Sequence, residues 1–452
     1  MERVKEPGEI CPPSHQTSYS QHLDAREEMA DSIIPGYQAG ASLSLEVLDS
    51  PKSSMLRPVS NLSVKIEKIL SETMAPVMLV TFNTPAGPPT RAVLKLFDRR
   101  FGSSLRRNRH DEHIPCRVQD EEAFKALLLQ EKPVPFTRNN EEREKEEDEL
   151  ELLSFLGASA WLDEPDGQAN YEFELWHQSC EYYQTEVRAY NRLQDLQGVV
   201  IPRMYASVRL PCECGVPRLD YFFSPYGILL QWIDGPNLYD YPDDMVSPAG
   251  LTEIVQRAVN GAYQINERGI VLNDSGPRNV AVDKQLQRPY IVDLAQCVFE
   301  EDFYEEDLED IEEGKTIEDA WLDQVWLKHN PSSIGTVMKR RLDRDYGIKI
   351  EVAFTILDKV LEYESPITTD PRRVRSYTTC SGPSTMIDGG GFGNDCHGTR
   401  GFGTHIWPRI WKRFRLAVSG GTTTVARLFN WIRARLICSL RKGDHSYWGP
   451  IY

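Results

Sequence analysis

Residues 270–299 read IVLNDSGPRNVAVDKQLQRPYIVDLAQCVF, short apolar runs with acidic residues at their edges. Asp274 and Asn279 share one loop with four residues between them, and Asp293 follows Asn279 after 14 further positions. Phosphoryl transfer needs a carboxylate close to the acceptor hydroxyl and hard oxygen ligands for Mg2+. One loop can supply the first carboxylate, Asp274, and an amide oxygen, Asn279, while a neighbouring strand end supplies the second carboxylate, Asp293. The turn DKQLQRP (283–289) is short enough to bring the two edges together. Val271, Leu272, Val280, Val282, Ile291 and Val292 flank the polar groups and would hold them rigid. The chemistry-free alternative for DSGPRN is a loop with Asx caps.

Upstream, LTEIVQRAVNGAYQINERGI (251–270) repeats apolar residues at spacings of three and four and stops at Gly269, which predicts a helix. LSVKIEKIL (62–70), PVMLVTF (76–82) and RAVLKLFD (91–98) predict three successive antiparallel strands, with NTPAGPPT (83–90) marking a turn. VVIPRMYASVRL (199–210) and YGILLQWI (226–233) complete a sheet of five strands. EYYQTEVRAYNRLQDLQG (181–198) predicts a helix with Val187, Tyr190 and Leu193 near one face. Lys95 sits inside the apolar run VLKLF, so its burial calls for an anionic partner, and Glu186 is the candidate. Further helices are expected at 317–329, 332–347 and 350–365.

With these elements in order, the chain resembles the protein-kinase-like superfamily, and within it a group of fungal kinase-like proteins. LNDSGPRN (272–279) stands against the catalytic loop H-R-D-x-x-x-x-N, and DLA (293–295) against the metal motif D-F-G. AVLKLF places Lys95 at the family's strand lysine, and YQTEVRAY places Glu186 at its helix glutamate. The resemblance covers residues 62–299. It implies an α+β, bilobal fold, with a five-stranded antiparallel N-lobe sheet plus a helix and a mostly helical C-lobe. It implies ATP and Mg2+ as cofactors. Lys95, fixed by Glu186, would hold the α- and β-phosphates, and Gln231, Trp232, Ile233 and Asp234 would line the adenine. Asn279 and Asp293 would bind the metal, and Asp274 would orient the acceptor hydroxyl. The expected activity is a kinase that transfers the γ-phosphate to a protein or small-molecule hydroxyl. The alternative is a catalytically weak pseudokinase that binds partners. Some family features are missing: SETMA (71–75) has no glycine, Asn273 replaces the usual basic residue, and no A-P-E follows. An acidic run from Glu300 takes the place of an activation segment. These departures favour an aminoglycoside- or choline-kinase-like member over a phosphorylation-controlled Ser/Thr kinase.

The 452 residues carry a formal net charge of −17, which argues against a specific nucleic-acid partner. The charge is uneven: residues 366–452 hold 13 Lys/Arg and 4 Asp/Glu, a net of +9, so the remainder carries −26. The expected organisation is a flexible leader at 1–58 and a kinase-like domain at 59–365, with a charged insertion at 99–174. A Gly-rich linker and basic amphipathic tail at 366–452 would follow. IWPRIWKRFRLAV (406–418) and TTVARLFNWIRARLICSLRK (423–442) mix aromatic and basic residues, a composition suited to peripheral membrane or protein contact. The nine cysteines show no repeated spacing, and the lone pair Cys212 and Cys214 reads as a turn rather than a zinc site. With no apolar signal region and no run of about 18 apolar residues, the expected location is intracellular, in the cytoplasm.

Overall fold

The computed structural model describes residues 32–51, 54, 56, 59–83, 88–130, 158–163, 167–241, 247–302 and 316–354. Six strands, β1 (Ser42–Asp49), β2 (Asn61–Ser71), β3 (Val77–Phe82), β4 (Thr90–Phe97), β5 (Met204–Arg209) and β6 (Tyr226–Gln231), close into one antiparallel barrel. Their order is β1-β2-β3-β4-β6-β5. This corrects the expected α+β bilobal arrangement of a five-stranded N-lobe sheet with a mostly helical C-lobe.

The extra strand explains the difference. β1, SLSLEVLD, comes from the stretch expected to be a flexible leader, and its alternating Leu43, Leu45 and Val47 form one inward row. It pairs with β2 on one side (Leu45 opposite Leu62) and β5 on the other (Val47 opposite Val208), so both sheet edges are used up. Leu45, Ile66, Met78, Val80, Leu94, Leu96, Val208 and Leu229 fill the interior.

Among the described residues, five helices of twelve or more residues accompany the barrel: α1 (Val118–Leu129), α2 (Gly167–Arg192), α3 (Pro248–Asn266), α4 (Ile317–Lys328) and α5 (Asn330–Tyr346). Two small antiparallel sheets stand beside them, β7 (Ile270–Leu272) with β10 (Cys297–Phe299), and β8 (Val280–Asp283) with β9 (Arg288–Ile291). Helix α2 begins at Gly167, well before the expected 181, and ends at Arg192. The Ser247 side chain caps α3 by accepting from the Gly250 amide, with Pro248 starting the first turn. The apolar stripe of α3 (Leu251, Ile254, Val255, Ala258, Val259, Ile265) packs with Ile334, Met338 and Leu342 of α5 in a second core. Residues 350–354 are not helical. The rest of the helix expected at 350–365, the acidic block 141–153, leader residues 1–31 and the basic tail 366–452 lie outside the described residues.

Two glycines allow the close approaches on which the site depends. A Cβ on Gly227 of β6 would lie 2.5 Å from the Lys95 carbonyl oxygen, and one on Gly235 would lie 1.8 Å from that of Val282. Gly235 sits in the link Asp234–Leu238, which runs along β8. Lys284 N–H donates to Asp234 O, Val282 N–H to Pro236 O and Leu238 N–H to Val280 O.

Just past β4, buried Asp98 accepts from Tyr37 Oη (2.8 Å) and from the Arg100 guanidinium (2.9 and 2.7 Å). Burial pushes its carboxyl up, but the Arg100 charge and these hydrogen bonds outweigh that and hold it below the ordinary carboxylate range. The folded chain therefore takes up this proton less readily than the unfolded chain, whose aspartates titrate near about pH 4. The stabilisation is complete above that pH and is lost as pH falls through the lower folded value. Asp98→Asn is expected to lower the urea midpoint at neutral pH and to flatten its decline in acid. Parallel curves for the two proteins would contradict this.

Candidate active site

Lys95 lies on β4 between Val77 of β3 and Ile228 of β6, and its side chain is 7% exposed. Its ammonium donates to Glu186 Oε2 at 2.7 Å and to Asp293 Oδ1 at 2.6 Å. Glu186, fully buried on α2, also accepts from the Leu294 amide at 3.3 Å, so one carboxylate ties barrel, helix and the Asp293 segment together. Burial works against the Lys95 ammonium, but Asp293 and Glu186 prevail and hold it above the ordinary lysine range. Burial, reinforced by Asp293, raises the Glu186 carboxyl against the pull of Lys95. The proton stays on Lys95, leaving one ammonium between two carboxylates.

Asp293 has φ of 64°, in the left-handed region that few non-glycine residues occupy. Its side chain is 30% exposed, in contrast to Glu186. The β8–β9 ladder pairs Val280 with Ile291, and Val292 N–H donates to Asn279 O at 2.9 Å, so the backbones carrying Asn279 and Asp293 meet at one end of this ladder. The Asn279 amide nitrogen donates to the Asp274 carbonyl oxygen (2.9 Å) and to Asp274 Oδ2 (3.0 Å). That orientation commits the Asn279 nitrogen and leaves its oxygen for another partner. Asp274 is exposed. Lys95, Glu186 and Asp293 thus touch directly, and Asn279 and Asp274 form a second pair joined to them through the backbone.

The expected adenine-lining residues lie where β6 leaves the barrel. Gln231 is its last residue and its Oε1 accepts from the Arg203 amide, Ile233 is buried, and Asp234 is exposed. Among the described residues, the buried indole N–H of Trp232 has no hydrogen-bond partner, and neither does the buried hydroxyl of Tyr190, one helical turn beyond Glu186. Orphaned buried donors are uncommon and ask for an acceptor.

Several supporting residues carry no local sequence signal. Asn330, 1% exposed at the start of α5, accepts from Leu272 N–H (2.9 Å) and donates to Leu272 O (2.7 Å), fixing the strand that leads into Asp274. Only its Asn-Pro setting, a helix-start signal, could have drawn attention to it. Arg188 pairs with Glu301 and Asp302 and stacks 3.8 Å over Phe299, while Arg192 also holds Glu301. These half-exposed pairs are individually weak but anchor α2 close to Glu186. The turn Ser71–Ala75 is pinned: Ser103 N–H donates to Glu72 O, Ser104 N–H to Thr73 O, and Gln296 Nε2 lies 3.1 Å from Met74 Sδ.

Other groupings are less suited to chemistry. Cys116, Asp120 and Glu172 lie close enough to share a cation, but Arg99 and Arg106 already provide positive charge at Glu172. Cys212 and Cys214 sit in a turn where the Cys212 amide donates to Ser224 Oγ and the Cys214 amide to Asp220 Oδ1. A cavity of ≈ 270 Å³ between α3 and β9 contains none of Lys95, Glu186, Asp274, Asn279 and Asp293. No helix among the described residues is long and apolar enough to cross a membrane. No protein-family model matches the chain, and no curated protein matches it.

Proposed function

We propose that this chain is an ATP- and Mg2+-dependent phosphotransferase, a kinase whose site motifs resemble those of the protein-kinase-like superfamily. The observation that carries this reading is the Lys95 ammonium held 2.7 Å from Glu186 and 2.6 Å from Asp293, with Asn279 and Asp274 beside them. The donor set suits the ion: a partly exposed carboxylate and an amide oxygen are hard ligands, and the surplus negative charge favours a divalent cation. Mg2+, when bound, screens the phosphates and holds the γ-phosphoryl group for in-line transfer.

Lys95, kept charged by its two carboxylates, moves part of its hydrogen bonding from Asp293 to the α- and β-phosphates. Asp293 and Asn279 would hold the metal. Asp274 accepts the proton of the acceptor hydroxyl as that oxygen bonds to the γ-phosphorus. The bond from that phosphorus to the β–γ bridging oxygen breaks, and ADP leaves. Trp232 and its neighbours contact the adenine. ATP and a hydroxyl compound or protein are the partners, and the five described cysteines, all free, support a reducing, cytoplasmic setting. Peripheral membrane or protein contact is assigned to the basic tail.

A second reading, a pseudokinase scaffold, is favoured by the turn Ser71–Ala75, which lacks glycine and is pinned where a flexible phosphate cover would be needed. Thermal-shift titration separates the two. ATP with Mg2+ at about 100 times Kd is expected to stabilise the chain by about 2.7 kcal/mol, and Lys95→Met is expected to abolish the shift. Labelled-ATP turnover should accompany it. No shift and no turnover would leave the scaffold; a shift without turnover would mean a nucleotide-binding pseudokinase.

A further inference from the structure

The face of α4 that carries Trp321 and Val325 packs on Val271 of β7 and Val298 of β10. Lys328 follows Val325 by one helical step of three, so it lies on the same face, beyond the end of β7 where the chain enters Asn273 and Asp274. The junction is rigid. His329 turns the chain in a left-handed conformation (φ 36°) and Asn330 clamps both polar groups of Leu272. Ser275 Oγ donates to the Asn330 carbonyl at 3.3 Å.

Lys328 is half-buried and makes no hydrogen bond or ion pair among the described residues. Burial pulls its ammonium below the ordinary lysine range, and the charge that opposes this is Asp274. The loop's own cation, Arg278, is directed elsewhere, 4.5 Å over the Tyr239 ring. A lysine placed only to favour a helix C-terminus gains that effect while fully solvated. Partial burial without a partner, in the field of the proposed base, calls for an anionic ligand.

We infer that Lys328 is an acceptor-side anion subsite, and that the hydroxyl compound phosphorylated here carries a phosphate or carboxylate close to that hydroxyl. The inference rests on the phosphotransferase reading and adds the acceptor class to it. Asp274 engages the hydroxyl and Lys328 the neighbouring anion, which orients the acceptor by two points.

The test uses the full chain saturated with Mg2+ and a non-hydrolysable ATP analogue, with glycerol 3-phosphate and glycerol as calorimetric probes. Glycerol 3-phosphate is expected to bind more tightly than glycerol, to weaken at least about tenfold in Lys328→Met, as loss of a charge-assisted contact predicts, and to recover in Lys328→Arg. Equal binding of the two probes, or equal binding by wild type and Lys328→Met, would overturn the inference while leaving the nucleotide site standing. Failure of the analogue itself to bind would overturn the phosphotransferase reading, and this inference with it.

Discussion

Asp293→Asn is expected to lower Mg2+-dependent ATP turnover by about a thousandfold while the chain stays folded. The side chain supplies the one carboxylate of the Lys95 cluster that reaches solvent, and it is the residue through which the metal would be held. The amide keeps a hydrogen-bond acceptor for Lys95 but removes the charge that attracts Mg2+. Folding should survive because Lys95 still faces Glu186 at 2.7 Å, now one cation against one anion. Asparagine also tolerates the left-handed backbone at this position, where alanine would add strain. Steady-state turnover beside a thermal melt reads both effects. Turnover within about threefold of wild type would remove Asp293 from the metal role, since loss of an anchoring electrostatic contact ordinarily costs far more.

Glu172→Ala is expected to give a very large loss of stability, about 3–5 kcal/mol. Glu172 is fully buried on α2 and accepts from the two terminal guanidinium nitrogens of Arg106 (2.9 and 2.7 Å) as well as one nitrogen of Arg99. Arg106 is itself fully buried, and Arg99 also pairs with Glu121 of α1. Removing the carboxylate strands guanidinium charge in the interior, and the penalty is the uncompensated desolvation rather than a lost surface attraction. The same helix carries Glu186 fourteen positions on, so slackening of its first half should also loosen the Lys95 pair. Urea denaturation measures the first effect. A change below about 0.5 kcal/mol, the usual range for a surface substitution, would show that the network is solvated in solution.

The parts of the site that could be read from sequence are those encoded locally. Asp274, Asn279 and Asp293 fall within one strand–loop–strand unit, and Lys95 stands out as a charge inside the apolar run VLKLF. What escaped depends on distant pairing. β1 was masked by its Pro- and Ser-rich surroundings, although SLSLEVLD alternates correctly; only pairing with β5, far along the chain, makes it a barrel strand. Arg99, Arg106 and Glu172 fall within the expected charged insertion, because charge blocks are ordinarily solvated and nothing local marks a buried partner more than 60 positions away. Asn330 holds Leu272, at the entry to the 273–279 loop, from the start of α5, across a separation no motif spans.

Electron paramagnetic resonance of Mn2+, standing in for Mg2+, titrated into the full chain with and without ATP, reads the proposed metal site. A metal site shared with bound ATP predicts tight Mn2+ binding that requires ATP and is weakened in both Asp293→Asn and Asn279→Ala. Binding of Mn2+ that ignores ATP, or that survives both substitutions unchanged, would contradict it.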